Sequence, residues 1–460
     1  VTGPDGYFAE DKRDCDHSIA LIEEGVPAFR IMNTARDGKW RIEKEILTDP
    51  KRETLLQRIT FEALQGELAD YRVFGLLSPH LINSGADNTA WVDDYKGMPM
   101  LFATGAKAGA LALACSVPLV SRSVGYVGTS DGWQQLHANG RLEEGYRMAE
   151  AGNVAMCAEI DLAGHDGHAL VAIGFGSRWQ EAAYKAKSSL QNGFEVARRG
   201  YAAGWRAFQK DLEPLDRPAG ASNLNAYRIS TAVLATHQPD SFPGAAIASL
   251  SIPWGFNKGD EDLGGYHLVW PRDLVETAGG FLAAGATQQA KAVLSYLASV
   301  QEADGHWSQN IWLDGWPYWA GVQMDECAFP IILADMLRRH GHIDAADAHR
   351  FLPMIEKAAR FLVRNGPVTG QDRWEEDAGY SPFTLAVEVA GLLAAADIFD
   401  IVGHHASARY LRETADSWNE DIEYWTYARD TELSRKLGID GYYVRIAAPD
   451  TADAASPLDG

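Results

Sequence analysis

The sequence predicts a multidomain chain of α and β structure: an N-terminal antiparallel β-sandwich, then a helical linker, then a helical toroid. Three observations carry this prediction. Up to about residue 178, short alternating or apolar runs are separated by Gly, Asp and Asn, the rhythm of antiparallel strands. From about residue 180, apolar and small residues recur at helical spacing. From Asn223 onward, helical segments alternate with short polar loops, as in antiparallel helix pairs. At 460 residues the chain is also too long for one ordinary core.

In the first part, Val1 to Phe8 read like the interior of a sheet protein. Trp40 to Ile46 alternate in the manner of a half-buried strand. Gly109 to Val120 are apolar but alanine-rich, a weaker strand signal. Asn153–Leu162 and His168–Gly176 face each other across Ala163–Gly167, which predicts a hairpin. His17, His80, His137, His165 and His168 are dispersed and read as structural or exposed. Gln180 to Leu212 then carry Ala183, Ala186, Leu190, Phe194, Ala197, Tyr201, Trp205 and Phe208 at helical spacing, before the breakers Pro214, Pro218 and Gly220. The expected division is therefore sandwich 1–178, linker 179–221 and helical domain 222–460.

In the helical domain, helices are expected over Asn223–Thr236, one or two within Leu274–Ala303, then Phe329–His340, Ala345–Arg364, Phe383–Val402 and His405–Trp418. No repeat of fixed period is present, which argues against a solenoid. The connections hold the unusual residues. Ser251–Gly255 precede a Gly/Asp-rich loop that runs into Tyr266-His267-Leu268-Val269-Trp270-Pro271-Arg272-Asp273. Arg272 and Asp273 beside Tyr266 and Trp270 suit charge-assisted hydrogen bonds to sugar hydroxyls; the plainer reading makes Asp273 a helix cap paired with Arg272. Next, Trp307, Trp312, Trp316 and Trp319 crowd a polar loop, and Gln323-Met324-Asp325-Glu326 place amide and acids ahead of another helix. The third loop is Asp372-Arg373-Trp374-Glu375-Glu376, after the turn-rich Asn365–Gly370 and before the helix resuming at Phe383. An acid held against an indole has a raised pKa, because desolvation penalises its ionised form. The plainer reading is a helix start with acids near the positive dipole end. Three loops at the starts of alternate helices would line a pocket at one end of a toroid.

Composition narrows the partners. Lys+Arg 41 against Asp+Glu 63 give a net charge of −22, which disfavours a nucleic-acid backbone. No uninterrupted apolar run of membrane-spanning length appears, so no membrane partner is expected. The four cysteines, Cys15, Cys115, Cys157 and Cys327, lack metal-ligand spacing and read as buried thiols with at most one disulfide. Asp-rich magnesium or Cys/His/Asp zinc clusters of the terpene-cyclase or prenyltransferase kind are absent from the sequence.

Taken together, the Trp-Pro-Arg-Asp, Gln-Met-Asp-Glu and Arg-Trp-Glu-Glu motifs, in this order, resemble bacterial glycoside hydrolase family 15, the glucoamylases and glucodextranases. The resemblance spans nearly the whole chain. It implies a β-sandwich, a helical linker and an (α/α)6 barrel whose pocket takes the non-reducing end of a glucan. By this resemblance Glu375 matches the general acid, Arg272 and Asp273 the grip on the terminal glucose, and Tyr266 and Trp270 its aromatic lining. Trp319 matches a tryptophan beside the cleavage point. Glu376, Gln323 and Asp325 fall on supporting positions, and Arg373 and Trp374 flank the acid. The implied activity is exo-acting, inverting release of β-D-glucose from α-glucans, by a secreted or periplasmic monomer. No cofactor is implied for the chemistry, and an acidic loop leaves room for a structural calcium.

An inverting enzyme needs a second carboxylate roughly 6.5–9.5 Å from the acid. The family's downstream His-Ala-Glu context is missing here, and six or seven helices stand where an (α/α)6 barrel has twelve. Glu420, Glu423 and Glu432 read as solvated faces. The chain therefore reads as a piece cut at both ends, inactive by itself, with an incomplete barrel. Its apolar stripe Leu385, Val389, Leu392, Leu393 and Ala396 is then expected partly in water. The alternatives within the family are glucodextranase and a trehalose hydrolase; the alternative of another class is a non-catalytic carbohydrate-binding protein.

Overall fold

A computed structural model describes residues 1–216, 225–250 and 264–448. The break at Pro218 and Gly220, the start of the helix expected from Asn223, the Ser251–Gly255 segment and residues 449–460 lie outside the described residues. The described chain falls into two compact units, one built on Val1–Lys210 with the start of the next helix, the other on 233–250 and the chain from Gly264 onward.

The first unit carries β1 (Cys15–Glu23), β2 (Val26–Ala35), β3 (Trp40–Thr48), β4 (Thr54–Ala63), β5 (Val73–Leu77), β6 (Asn88–Tyr95), β7 (Met98–Thr104), β8 (Ala110–Cys115) and β9 (Leu119–Tyr126). Helix α1 (Gly132–Asn139) follows, then β10 (Met148–Gly152), β11 (Val154–Ile160) and β12 (His168–Gly176). A nine-stranded antiparallel sheet in the order β1-β2-β3-β4-β12-β8-β7-β6-β10 faces a three-stranded sheet, β5-β11-β9. Trp40, Ile42, Ile59, Phe61, Ile160 and Val171 fill one part of the space between them, and Leu101, Leu111, Val124, Val154 and Met156 another.

The expected hairpin is not one. β11 pairs with β5 and β9, whereas β12 pairs with β4 and β8, so Ala163–Gly167 cross from one sheet to the other. Two apolar strands joined by a short loop look alike in sequence whether they pair or bridge the two layers of a sandwich.

Beyond β12 come α2 (Trp179–Asn192) and α3 (Phe194–Lys210), broken at Gly193. These helices cover the outer face of the large sheet. Ala182, Ala183, Ala186 and Phe194 pack on Leu56, Phe102, Ala112, Ala114 and Ala172. This explains the alanine richness of β8, because side chains alternate between faces of a strand. Its small Ala110, Ala112 and Ala114 face the helix, while Leu111 lies in the inter-sheet core. The approach is so close that a Cβ on Gly174 would stand 2.3 Å from the Ala182 carbonyl oxygen. All four cysteines are free and buried.

The second half holds α4 (Ala226–Thr236), α5 (Pro271–Ala283), α6 (Thr287–Ser299), a short β13 (Asn310–Ile311) and β14 (Pro317–Trp319) hairpin, and α7 (Met324–Arg339). Then follow α8 (Ala345–Asn365), α9 (Pro382–Ile401), α10 (His405–Thr426), β15 (Tyr427–Arg429), α11 (Glu432–Leu437) and β16 (Gly441–Tyr443). Alternate helices are neighbours: α5 packs on α7, and α7 on α9, with α6, α8 and α10 packed beside them. Their starts, at Pro271, Met324 and Pro382, carry the three loops singled out above.

Helix α9 corrects one expectation. Leu385, Leu392 and Ala396 are fully buried, and Leu393 is the exposed member of the stripe. Packing against α7, α8 and α10 already covers the face that was expected to meet water. At 20 residues and mean hydropathy 1.6, α9 is also long and apolar enough to cross a membrane by length and composition. Here it is a core helix, and it carries the fully buried Glu388.

Candidate active site

All the singled-out site residues lie in the second unit, on the loops that open α5, α7 and α9. The α5 loop ends in a helix whose N-cap is Trp270, with Pro271 in the first turn where its missing N–H costs nothing. Asp273 therefore sits inside the first turn and does not cap the helix, and Arg272 turns elsewhere for its partners. Arg272 is 7% exposed. Its Nη1 donates to Gln323 Oε1 and to Asp325 Oδ2, both at 2.7 Å, and its Nη2 lies 3.7 Å from Glu326 Oε1.

The acids of α7 are thus held by a buried guanidinium. Asp325 and Glu326 are both 0% exposed. Burial drives the Glu326 carboxyl well above the usual carboxylate range, with Arg272 pulling it down and Asp325 pushing it up. Burial alone would lower the Arg272 guanidinium; the charges of Glu326 and Asp325 outweigh this and raise it. Asp273 keeps an exposed edge, yet desolvation by the chain around it raises its carboxyl. Arg272 and Arg373 act against that shift, and the nearby Glu375 charge adds to it.

Glu375 is not at a helix start, since α9 begins only at Pro382. It lies on a closed turn in which the Asp372 N–H donates to the Asp377 carbonyl at 2.8 Å and the Glu375 N–H donates to the Asp372 carbonyl at 2.8 Å. Its φ of 66° is in the left-handed region. From there its Oε1 accepts a 2.7 Å hydrogen bond from the Trp270 indole Nε1–H. Tyr266 packs on Trp270 with ring centroids 6.2 Å apart. Acid, indole and tyrosine thus share one corner, next to the Arg272–Asp273 turn.

The flanking residues spread outward. Arg373 lies over the Trp374 ring at 5.1 Å and the Phe383 ring at 4.6 Å, and Trp374 is 62% exposed. Glu376 turns from Glu375: its N–H donates to Asp372 Oδ1 at 3.0 Å, and its carboxylate lies 3.4 Å from Arg445 Nη1. Trp319 is on β14, where its N–H donates to Asn310 Oδ1 at 3.0 Å. The four loop tryptophans divide. Trp307 is core, its indole donating to the Leu297 carbonyl, while Trp316 and Trp319 are exposed.

Sequence reasoning missed Arg445, which pairs with Asp372 and Asp377 as well as approaching Glu376. It also missed Glu388 on α9, whose buried carboxyl is driven well above the usual range by desolvation, with Asp325 adding to the shift. A lone Arg and a lone Glu in apolar contexts carry no motif; the glutamate within the apolar run Leu385 to Ala396 was the one available signal.

Residues 1–210 match the family described as glucodextranase, domain N, and residues 308–447 match glycosyl hydrolases family 15. A glucoamylase of Clostridium sp. (strain G0005) is 35% identical over 447 residues, covering 97% of this chain and 61% of its own length. An uncharacterized glycosyl hydrolase of Methanocaldococcus jannaschii is 27% identical over 161 residues, 35% of this chain and 25% of its own. A crystal structure of a bacterial glucoamylase complexed with acarbose superposes with a TM-score of 0.90 at 34% identity, covering 99% of this chain and 64% of that one. The chain thus spans about three-fifths of the length of these glucoamylases. Residues 1–210 are thus similar to a glucodextranase N domain, and the helical site lies largely within a region similar to glycosyl hydrolases family 15.

Proposed function

We propose that the corner around Glu375 is the cleavage site of an exo-acting, inverting glycoside hydrolase that releases β-D-glucose from the non-reducing ends of α-glucans. The observation that carries this reading is the 2.7 Å bond from Trp270 to Glu375, set beside an arginine that two α7 side chains hold in place. Glu375 protonates the departing glycosidic oxygen. Arg272, oriented by Gln323 and Asp325, and Asp273 hold the hydroxyls of the terminal glucose, while Tyr266 and Trp270 pack against its ring. Trp319, Arg373 and Trp374 meet the sugar on the leaving side, and Glu376 supports the acid through charge and position. The chemistry uses carboxylates and water, with no cofactor; a calcium in an acidic loop would be structural.

Inversion requires a second carboxylate that activates water on the opposite face. Asp325 and Glu326 are poor candidates, being fully buried and drawn to Arg272. A base has to meet water, and these two do not. The 460-residue chain alone is accordingly proposed to be inactive.

The substrate class is supported by the similarity to glucoamylases, one of them described with acarbose bound. Proton NMR of the first product of the active enzyme tests the mechanism: β-glucose is expected, and α-glucose would overturn inversion. The match of residues 1–210 to glucodextranase domain N favours a second reading, cleavage of α-1,6 linkages. Relative rates on maltotetraose, isomaltotetraose and trehalose separate the linkages. We further propose a monomer acting outside the cytoplasm, tested by sedimentation and by fractionation of the source cells.

A further inference from the structure

We propose that Arg445 is a positioning residue for the acid, clamping the Asp372–Asp377 turn so that Glu375 stays on Trp270; this rests on the reading of Glu375 given above. The turn concentrates four carboxylates, Asp372, Glu375, Glu376 and Asp377, within six residues. Like charges so close repel, and unopposed they would spread the loop. One guanidinium answers three of them. Arg445 Nη1 donates to Asp372 Oδ2 and lies 3.4 Å from Glu376 Oε2, and its Nη2 donates to Asp377 Oδ2. A planar fork can do this from one fixed position, which a lysine ammonium cannot.

The clamp reaches Glu375 through the backbone. Asp372 is 1% exposed, so its charge depends on its partners. While Oδ2 is on Arg445, Oδ1 accepts the Glu376 N–H at 3.0 Å. The peptide on either side of Glu375 is therefore tied to Asp372, through the Glu375 and Glu376 N–H groups. These ties hold Glu375 at φ 66°, a conformation that a residue with a Cβ keeps only where its surroundings over-determine it. Arg445 is itself anchored. Tyr380 and Ala447 exchange backbone hydrogen bonds of 3.0 and 2.9 Å, and the Val444 N–H donates to the Thr426 carbonyl at 2.9 Å. At Gly379 the same crossing leaves no room for a side chain, since a Cβ would stand 2.0 Å from the Ala447 oxygen.

The test follows the Trp270 indole N–H by NMR in 15N-tryptophan-labelled protein, with the resonance assigned by its loss in Trp270→Phe. In Arg445→Gln it should move toward the position of a free indole and exchange faster with solvent, and millimolar guanidinium, but not ammonium, should reverse this. Should Arg445→Gln fail to fold, Asp377→Asn removes one arm of the clamp while buried Asp372 keeps its partner, and a smaller shift in the same direction is expected. An unmoved resonance in the folded variant overturns the proposal. In the active enzyme, Arg445→Gln should lower kcat on maltotetraose by up to about 100-fold with little change in KM, while sparing α-glucosyl fluoride, whose leaving group needs little protonation. Equal losses on both substrates would make Arg445 merely structural. The indole signal does not depend on hydrolysis, so it separates failure of the clamp from failure of the hydrolase reading.

Discussion

Glu375 and Glu376 are adjacent in sequence and differ in what their carboxylates touch. Glu375 meets an indole N–H, and Glu376 faces an arginine and solvent. Their substitutions should therefore differ in kind. Glu375→Gln keeps the shape but loses the transferable proton, a contribution of about 10²–10⁴-fold. In the active enzyme, turnover of maltotetraose should fall by that order while α-glucosyl fluoride is much less affected. Glu376→Gln should lower rate or binding without this leaving-group dependence; the reverse pattern would move the acid to position 376. A second prediction concerns Arg272. Arg272→Met would leave Asp325 and Glu326 buried without their cation, a loss of about 3–5 kcal/mol, readable as a lowered midpoint in urea. A change below about 1 kcal/mol, the range of exposed pairs, would mean that the pair is not buried in solution. Tryptophan, arginine and acid motifs made most of these residues legible. Arg445 was not legible, because it is 73 residues from Asp372 and only the folded backbone brings the two together.

Helix α9 shows what a segment conceals. Its composition announced an apolar helix, but not which side would be covered, since nearly every side is apolar. Burial now separates Leu385, fully enclosed, from Leu393, 39% exposed. Leu385→Ala should cost about 2–5 kcal/mol, whereas Leu393→Ala should stay near the ~0.5 kcal/mol typical of surface positions; similar losses at both would refute the packing. Glu388 on the same helix gives a pH signature. Burial raises its carboxyl well above the ordinary glutamate range, so the folded protein binds a proton that the unfolded chain releases. With fewer protons bound unfolded than folded, stability falls as pH rises above about 4.5, until the folded group itself ionises. Glu388→Gln, which stays neutral, should match the parent below that pH and become relatively more stable above it. Parallel melting curves across pH would show that Glu388 is not held protonated. In the sandwich, the false hairpin and the alanine-rich strand have one cause. Strand patterning reports how buried a face is, and not which sheet or helix covers it.

At the scale of the molecule, the order of domains was legible because strand and helix periodicities differ sharply. The loops that bring Trp270, Arg272 and Glu375 together were legible because unusual residues preceded every second helix. The location of the second catalytic carboxylate was not legible, and the geometry now constrains it. Asp325 and Glu326, the acids nearest in role, are enclosed and neighbour Arg272; Asp273 shares the first turn of α5 with Arg272, the proposed grip on the terminal sugar. Releasing Asp325 to serve as a base would break the bond that orients Arg272, so one carboxylate cannot fill both roles. The 460-residue chain, made alone, should therefore fold its helical core, as buried Leu385, Leu392 and Ala396 indicate, and still release no glucose from maltotetraose above background. A coupled glucose assay on the purified, monomeric chain checks this directly. Turnover would assign the base to a carboxylate among these residues, and Asp325→Asn would then tell whether it is the one on α7. If Asp325→Asn weakened substrate binding and left the rate per bound complex unchanged, Asp325 would remain the partner of Arg272 and the base would have to be sought elsewhere.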